Sequence, residues 1–342
     1  MKPVAERAAW ERKAALFAAA VPRARLHRAV LAWACRRTAA ARGPWVVAFS
    51  GGADSLALLL ALWTHWPRRR RVLMAVHFNH RLRGSAAAAD ERFCRSVCRA
   101  LGVRLYVGRW ARARAGASEE EAREARFAFL GKAMKAAGAR ALWLGHHQSD
   151  VAETMLMRLA RGSGASGLAA PRPVQKVAER VHLRPLLGLK KEAIAAALRA
   201  AGVKWMEDRT NTGRGYFRNR IRLDVVPAWQ KAAGRDAIAG AALARELIEE
   251  DDEALEAWVA KCRPFERGGR LSLARLAGCP RAVVRRALRR WLLRQSGAEG
   301  LSRQGFEDLL DAVIAGRPTR RSLGRAGFAV IRGGRLHRQA SS

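Results

Sequence analysis

Acidic residues are the scarce class in this chain. Its 342 residues hold 29 Asp and Glu against 65 Lys and Arg, a formal net charge of +36 and a pI near 11.7. A field of that sign favours polyanions, and a long nucleic acid is the obvious candidate. Inflation of Arg and Ala by coding composition is the plain alternative, but the acids have not risen to compensate. Long apolar runs are also missing: none approaches the roughly 18 residues that a membrane span requires. The opening MKPVAERAAWERKAALFAAAVPRARLHR is broken by charge and lacks the apolar core of a secretory signal. Glu6 and Glu11 speak against an organelle transit peptide. Cysteine is sparse, with Cys35, Cys94, Cys98, Cys262 and Cys279 scattered and odd in number. That usage reads as reduced thiols of a cytosolic chain. There is no CxxC pair, and Cys94 and Cys98, one helical turn apart, read as helix-face residues rather than ligands. Internal repeats and low-complexity tails are absent.

Half of the residues are hydrophobic, enough for a sizeable core, and the length suits two domains. From residue 45 onward short apolar runs alternate with longer amphipathic ones. WVVAF (45–49), VLMAVHFN (72–79), VRLYVGRW (103–110) and ALWLGH (141–146) read as strands. Helices are expected from Asp54 to Trp66, from about Ser85 to Leu101, from a capping serine at Ser118, and through VAETMLMRLA. This alternation predicts an α/β fold with a doubly wound parallel sheet, whose ligands sit beyond the carboxyl ends of the strands. RGSGASGLAAPRPVQ (161–175) reads as a loop and LGLKKEAIAAALRAAGV (187–203) as a helix. Past Pro227 the pattern is mainly helical to about 316, and LGRAGFAVIRGGRLHR ends the chain as a short hairpin around Gly333-Gly334. The expected division is a helical extension over 1–43, a catalytic domain over 44–230, and a smaller, mainly helical C-terminal domain over 231–342.

Between the first strand and its helix stands FSGGADS, Phe49 to Ser55. A Walker-type phosphate loop would carry GxxxxGK[ST], and no lysine is present here. Instead the glycines Gly51 and Gly52 let the backbone approach a ligand. The helix start favours an anion, Ser50 and Ser55 add hydroxyls, and Asp54 can hold Mg²⁺ against phosphates. A plain strand-to-helix turn needs less than this string. In LGHHQSDVAET, Asp150 and Glu153 lie three apart at a helix start and face the same way. The pair suits Mg²⁺ coordination, or positioning an amine and accepting its proton; first-turn acids complementing the helix dipole are the plain alternative. His146 and His147 fit either phosphate or ribose binding, or helix capping.

The SGGADS string resembles the pyrophosphate loop of the N-type ATP pyrophosphatases. Further blocks resemble one branch, the tRNA(Ile)-lysidine synthetase family: HFNHRLRGS (77–85), LGHHQSDVAETMLMRLARGSG (144–164), RPLLGLKKEAI (184–194), EDRTN (207–211) and YFRNRIRLDVVP (216–227), in that order. The resemblance covers about residues 44–230; beyond it only the helical architecture corresponds. It implies ATP and Mg²⁺ as cofactors, adenylation of the wobble cytidine of a CAU-anticodon tRNA(Ile), and attack by free L-lysine. It implies ATP contacts from Ser50, Gly51, Gly52, Ala53, Asp54, Ser55, His77, Asn79, His146 and Arg161, and metal binding by Asp54 and Asp150. Catalytic roles fall to Asp54, Asp150, Glu153 and Arg220. Substrate or RNA contacts fall to Arg81, Arg83, Arg218 and Arg222, with a solvated basic face as the alternative for such charge runs. The chain is expected to lack a terminal domain that the longest members carry. A tRNA thiolase of the same superfamily, which usually needs CxxC, and a non-catalytic RNA-binding protein are the rival readings. The oligomeric state is open, a homodimer being one option.

In RAVVRRALRRWLLR an apolar stripe of Val284, Leu288, Trp291 and Leu292 is flanked by arginines. The stripe reads as core, and Arg285, Arg286, Arg289 and Arg290 as contacts to an RNA backbone.

Overall fold

The strand order β3 (Arg104–Arg109), β2 (Leu73–Asn79), β1 (Trp45–Ala48), β4 (Ala141–Trp143), β6 (Arg180–Leu183), β5 (Val174–Val177) places the first strand in the interior of a six-stranded sheet. The computed structural model describes residues 2–36, 38–81, 84–111, 113, 117–207, 213–295 and 301–340. Strands β1 (Trp45–Ala48), β2 (Leu73–Asn79), β3 (Arg104–Arg109), β4 (Ala141–Trp143) and β6 (Arg180–Leu183) run parallel. The edge strand β5 (Val174–Val177) is antiparallel to β6. The expected doubly wound sheet is therefore present, with a β5–β6 hairpin added where a loop was expected up to residue 175.

Period-2 alternation along the central strands sorts side chains to the two faces. Trp45, Val47, Ala75 and Trp143 pack with Phe17, Leu58, Val97 and Ile194 from the helices Lys2–Ala20, Ala53–His65, Ser85–Leu101 and Lys191–Ala200. Val46, Met74, Val76 and Leu142 pack on the other face against Leu130 and Met134 of the helix Glu119–Ala136. Sheet residues are buried on both sides, which is why these strands read as continuous apolar runs. Helix Ala53–His65 is buried from Ser55 to Trp63, so it acts as a core strut whose first turn alone reaches the strand ends. Ser118 caps the helix Glu119–Ala136, accepting from the Glu121 N–H while the Glu121 carboxylate accepts from the Ser118 N–H, as the sequence predicts.

The chain divides into two compact units, residues 1–246 and 247–342. The second unit holds the later part of helix Ala237–Cys262, helices Arg281–Leu292 and Arg303–Ala315, and a four-stranded antiparallel sheet. That sheet is ordered β7 (Leu271–Ser272), β10 (Arg335–Gln339), β9 (Phe328–Arg332), β8 (Thr319–Ser322). The β9–β10 hairpin is the one expected; β7 and β8 are additional, so this unit carries more sheet than its pattern suggests. Val284, Leu288 and Trp291 are buried in its core with Leu309, Leu310, Ile331 and Leu336. Among the described residues no helix is long and apolar enough to cross a membrane.

Candidate active site

Strands β2 and β4 flank β1, so the connections leaving β1 and β4 diverge, and their C-terminal ends open a crevice. FSGGADS leaves the sheet there. Gly51 has φ +89°, and a Cβ on it would lie 3.2 Å from Cys94 Sγ and 3.3 Å from a Phe93 ring carbon. Only glycine fits that position without strain. Gly52 caps the helix Ala53–His65 with no side-chain acceptor, which leaves first-turn N–H groups open to an anion. The two hydroxyls fix the loop's shape. The Ser50 N–H donates to Ser55 Oγ at 3.2 Å, the hydroxyls lie 3.0 Å apart, and Ser55 Oγ donates to the Gly52 carbonyl at 3.0 Å. From the far side the Met206 N–H donates to the Gly51 carbonyl at 3.0 Å.

The connection after β4 closes on this loop through Gly145. A Cβ there would lie 2.8 Å from the Asp54 carbonyl oxygen, too close for any other residue without a backbone shift. His147 follows and joins the two helix starts: its Nε2 lies 3.5 Å from Asp54 Oδ2 and 3.5 Å from Asp150 Oδ2. Asp150 Oδ2 also accepts the His147 N–H at 2.9 Å, capping helix Gln148–Leu159. Burial opposes charge on the imidazole, but Asp150 and Asp54, with Glu153 behind them, outweigh it and raise its pKa. Burial likewise opposes the charge on Asp150, yet His147 and Arg218, with the His147 N–H bond, hold its carboxyl well below the usual range. His146 is the opposite case. Burial drives it down to about 3, with Asp150 resisting and the Arg184 and Arg218 guanidinia reinforcing the effect. It is a neutral imidazole whose Nδ1 accepts from Arg184 Nε at 3.1 Å, leaving Nε2–H as a donor.

Asp150 and Glu153 are both buried, and the arginines of the 216–222 block reach them. Arg218 Nε donates to Glu153 Oε2 at 2.8 Å and its Nη2 to Asp150 Oδ1 at 2.5 Å. Arg222 grips Glu153 with two bonds, 2.6 Å to Oε1 and 3.0 Å to Oε2. Both Glu153 oxygens are thus occupied by cations of the same chain. Arg218 and Arg222 are four apart, hence on one helical face; Arg220 points away, exposed, and donates to the Arg214 and Gly215 carbonyls at 3.2 and 3.1 Å. Arg222 itself lies in a π-helical turn over Ile221–Val225 that continues the short helix Phe217–Arg220.

The remaining expected residues stand elsewhere. His77 is buried beneath the loop, its Nδ1 3.0 Å from the Phe49 carbonyl and 3.4 Å from Cys94 Sγ, so it props the loop from below. Asn79 is buried and structural: its amide donates to Ala87 O and Glu91 Oε2, and its oxygen accepts the Arg81 N–H at 2.9 Å. Arg81 is exposed with φ +58°, and Arg83 lies outside the described residues. Arg161 is exposed beyond the far end of helix Gln148–Leu159, about 16 Å along the chain axis from Asp150. In the second unit, Arg285 binds Glu307, Arg286 binds Asp252 and Glu256, and Arg290 binds Glu256, so these guanidinia face carboxylates of the chain. Arg289 is exposed. Sequence reasoning missed Gly145, the bridging position of His147, and the buried Arg184. It also missed Arg126, which burial and the neighbouring Arg123 and Arg218 push down to about 10. Arg126 feels the charge of Arg123 and Arg218, and Arg184 that of Arg123 and Asp150, so further cations lie near the Arg218–carboxylate cluster. The two glycine-tight backbone approaches and the i, i+4 arginines were the available signals.

Residues 28–229 match the PP-loop domain, and residues 271–337 match the TilS substrate binding domain. The chain is 36% identical over 281 residues to tRNA(Ile)-lysidine synthase of Salinispora arenicola, covering 80% of this chain and 83% of that protein. It is 36% identical over 304 residues to the enzyme of that name from Streptomyces coelicolor, covering 85% and 84%. For the relative from Symbiobacterium thermophilum, at 36% identity, the chain spans 56% of the protein's length, and for that from Geobacter sulfurreducens, at 37%, 59%. Among solved structures it superposes on U34-tRNA thiolase NcsA from Methanococcus maripaludis with TM-score 0.51 at 16% identity, covering 65% of this chain and 77% of that one, a likeness of fold. The chain belongs to the tRNA(Ile)-lysidine synthase family.

Proposed function

We propose that this chain catalyses the reaction of its family: ATP-dependent conversion of the wobble cytidine of a CAU-anticodon isoleucine tRNA to lysidine. The cytidine O2 attacks the α-phosphorus of ATP and pyrophosphate leaves. The ε-amine of free lysine then adds at C2, and AMP departs with the oxygen. Adenylation is needed because the carbonyl oxygen is otherwise a poor leaving group. The observation that carries the reading is the junction of the Ser50–Ser55 loop with Asp54, His147 and Asp150 at the ends of β1 and β4.

The chain's own groups suggest the division of labour. The open N–H groups of the first helical turn after Gly52 receive the pyrophosphate and stabilise it as charge develops. Asp54 and Asp150 fit Mg²⁺: Asp54 Oδ1 is buried without a hydrogen-bond partner, and both carboxylates face one imidazole. Among the described residues no three ligating side chains form a metal cluster, so the ion's remaining ligands would be water and phosphate oxygens. Bound there, Mg²⁺ supplies positive charge to the phosphates. Glu153 receives the lysine ammonium, but only by exchange, since Arg218 and Arg222 hold it in the free chain. Those arginines, with Arg126 and Arg184, then face the anionic end of a substrate.

Pyrophosphate release and lysine incorporation, measured separately, test this assignment. Glu153→Gln is expected to release pyrophosphate near the normal rate and to lose lysine incorporation tenfold or more, as removal of one charge-assisted bond of about 1.5–3 kcal/mol requires. Asp150→Asn is expected to lose both steps. Normal lysine incorporation by both variants rejects the site.

A further inference from the structure

The arginines of helix Arg281–Leu292 are largely matched by carboxylates, yet the second unit retains an unmatched positive surface. Residues 312–342 contain seven arginines, one histidine and no acidic residue. Within this stretch Thr319–Ser322, Phe328–Arg332 and Arg335–Gln339 form β8, β9 and β10, whose register separates two faces. Ile331, Leu336 and Ala329 point into the core. On the other face Arg320 pairs across Val330 to His337, and Ser322 pairs with Phe328, which pairs with Gln339. Arg332 continues that outer row by alternation. The Arg320 guanidinium lies 3.4 Å over the centre of the Phe328 ring. Arg320 and Arg332 are exposed, and among the described residues no carboxylate pairs with either. By contrast Arg321 on the core side binds Asp308, and Arg335 at the rim binds Glu266.

We propose that the outer face of this sheet, with Arg320, Phe328, Arg332 and His337, is a contact surface for the backbone and bases of an RNA strand. The inference rests on the reading of the chain as a tRNA-modifying enzyme, and moves the contact from helix Arg281–Leu292 to the sheet. Charge complementarity selects the occupant. Exposed guanidinia at Arg320 and Arg332 that no carboxylate pairs attract phosphates, and a planar guanidinium stacked on a ring presents a flat surface on which an unpaired base can lie. Arg285, Arg286 and Arg290 cannot do this without giving up Glu307, Asp252 and Glu256.

Binding of an unmodified CAU-anticodon tRNA transcript to the full chain, titrated between about 50 and 200 mM salt, tests the proposal. The double variant Arg320→Gln, Arg332→Gln is expected to weaken binding about tenfold or more and to flatten the log–log salt slope by about 1.5. Phe328→Leu, which keeps an apolar side chain, is expected to weaken binding about fivefold or more at unchanged slope. Thermal unfolding checks each fold, and each single arginine variant serves if the double one is unstable. Wild-type affinity and slope in all of these overturn the proposal. Failure of the wild-type chain itself to bind the transcript instead overturns the functional reading on which it rests.

Discussion

At the scale of single residues, the site depends on charges that are buried and mutually satisfied. Asp54 has one oxygen facing His147 and one without a partner, so its removal costs the fold little and the chemistry much. Asp54→Ala is expected to keep its circular dichroism and tRNA affinity while AMP formation from ATP falls to background; full activity in that variant sinks the loop's assignment. His147 supplies a second, pH-dependent prediction. Its pKa is raised in the folded chain, so the stability it contributes is fully present below the unfolded value near 6.5 and is lost as pH rises through the higher folded value. His147→Gln should therefore lower Tm more at pH 6 than at pH 9. An equal deficit at both pH values contradicts a charged imidazole between Asp54 and Asp150.

At the scale of elements, two glycines let strand ends and helix starts meet. A methyl at residue 145 would press on the Asp54 carbonyl, which belongs to backbone and cannot rotate away. Gly145→Ala is expected to destabilise the chain by about 1–3 kcal/mol, as overpacking does, and to slow pyrophosphate release at least tenfold by displacing the first turn of helix Ala53–His65. Thermal unfolding and a pyrophosphate assay check the two parts, and an unperturbed rate would show that the contact is not strict. Much of this architecture was legible in the sequence. Strands such as WVVAF are buried on both faces and stand out as apolar runs, and Ser118 with Glu121 announces its helix start. Other elements were not legible, for physical reasons. TRRS in β8 and VQKV in β5 are edge strands, polar on the open side, so period-2 alternation is masked. The site shows the same split. Asp150 and Glu153 were readable as a same-face pair, but charge density alone could not show that the partners of Arg218 and Arg222 are those carboxylates. Their spacing of four, with Arg220 between them, carried that information.

At the scale of the whole molecule, the excess of +36 is unevenly matched. Around the carboxylates and in helix Arg281–Leu292 most arginines are held by acids, whereas the sheet of the second unit leaves Arg320 and Arg332 open. Such a distribution makes association with a polyanion strongly salt-dependent while the proposed catalytic cluster, buried and internally paired, is screened far less. Cleavage of ATP within a preformed transcript complex is thus expected to respond weakly to added salt, and complex formation strongly; similar responses of both would contradict this separation. The central claim is that one site couples ATP cleavage to lysine transfer onto RNA. The most direct measurement follows AMP, pyrophosphate and lysine-labelled tRNA in one reaction of the full chain with ATP, Mg²⁺, lysine and a CAU-anticodon isoleucine tRNA transcript. The account predicts that AMP and lysine-labelled tRNA accumulate one for one, that omitting tRNA abolishes both, and that omitting lysine stops the reaction after pyrophosphate release. ATP cleavage that proceeds without tRNA, or that never leads to lysine on the tRNA, would contradict it.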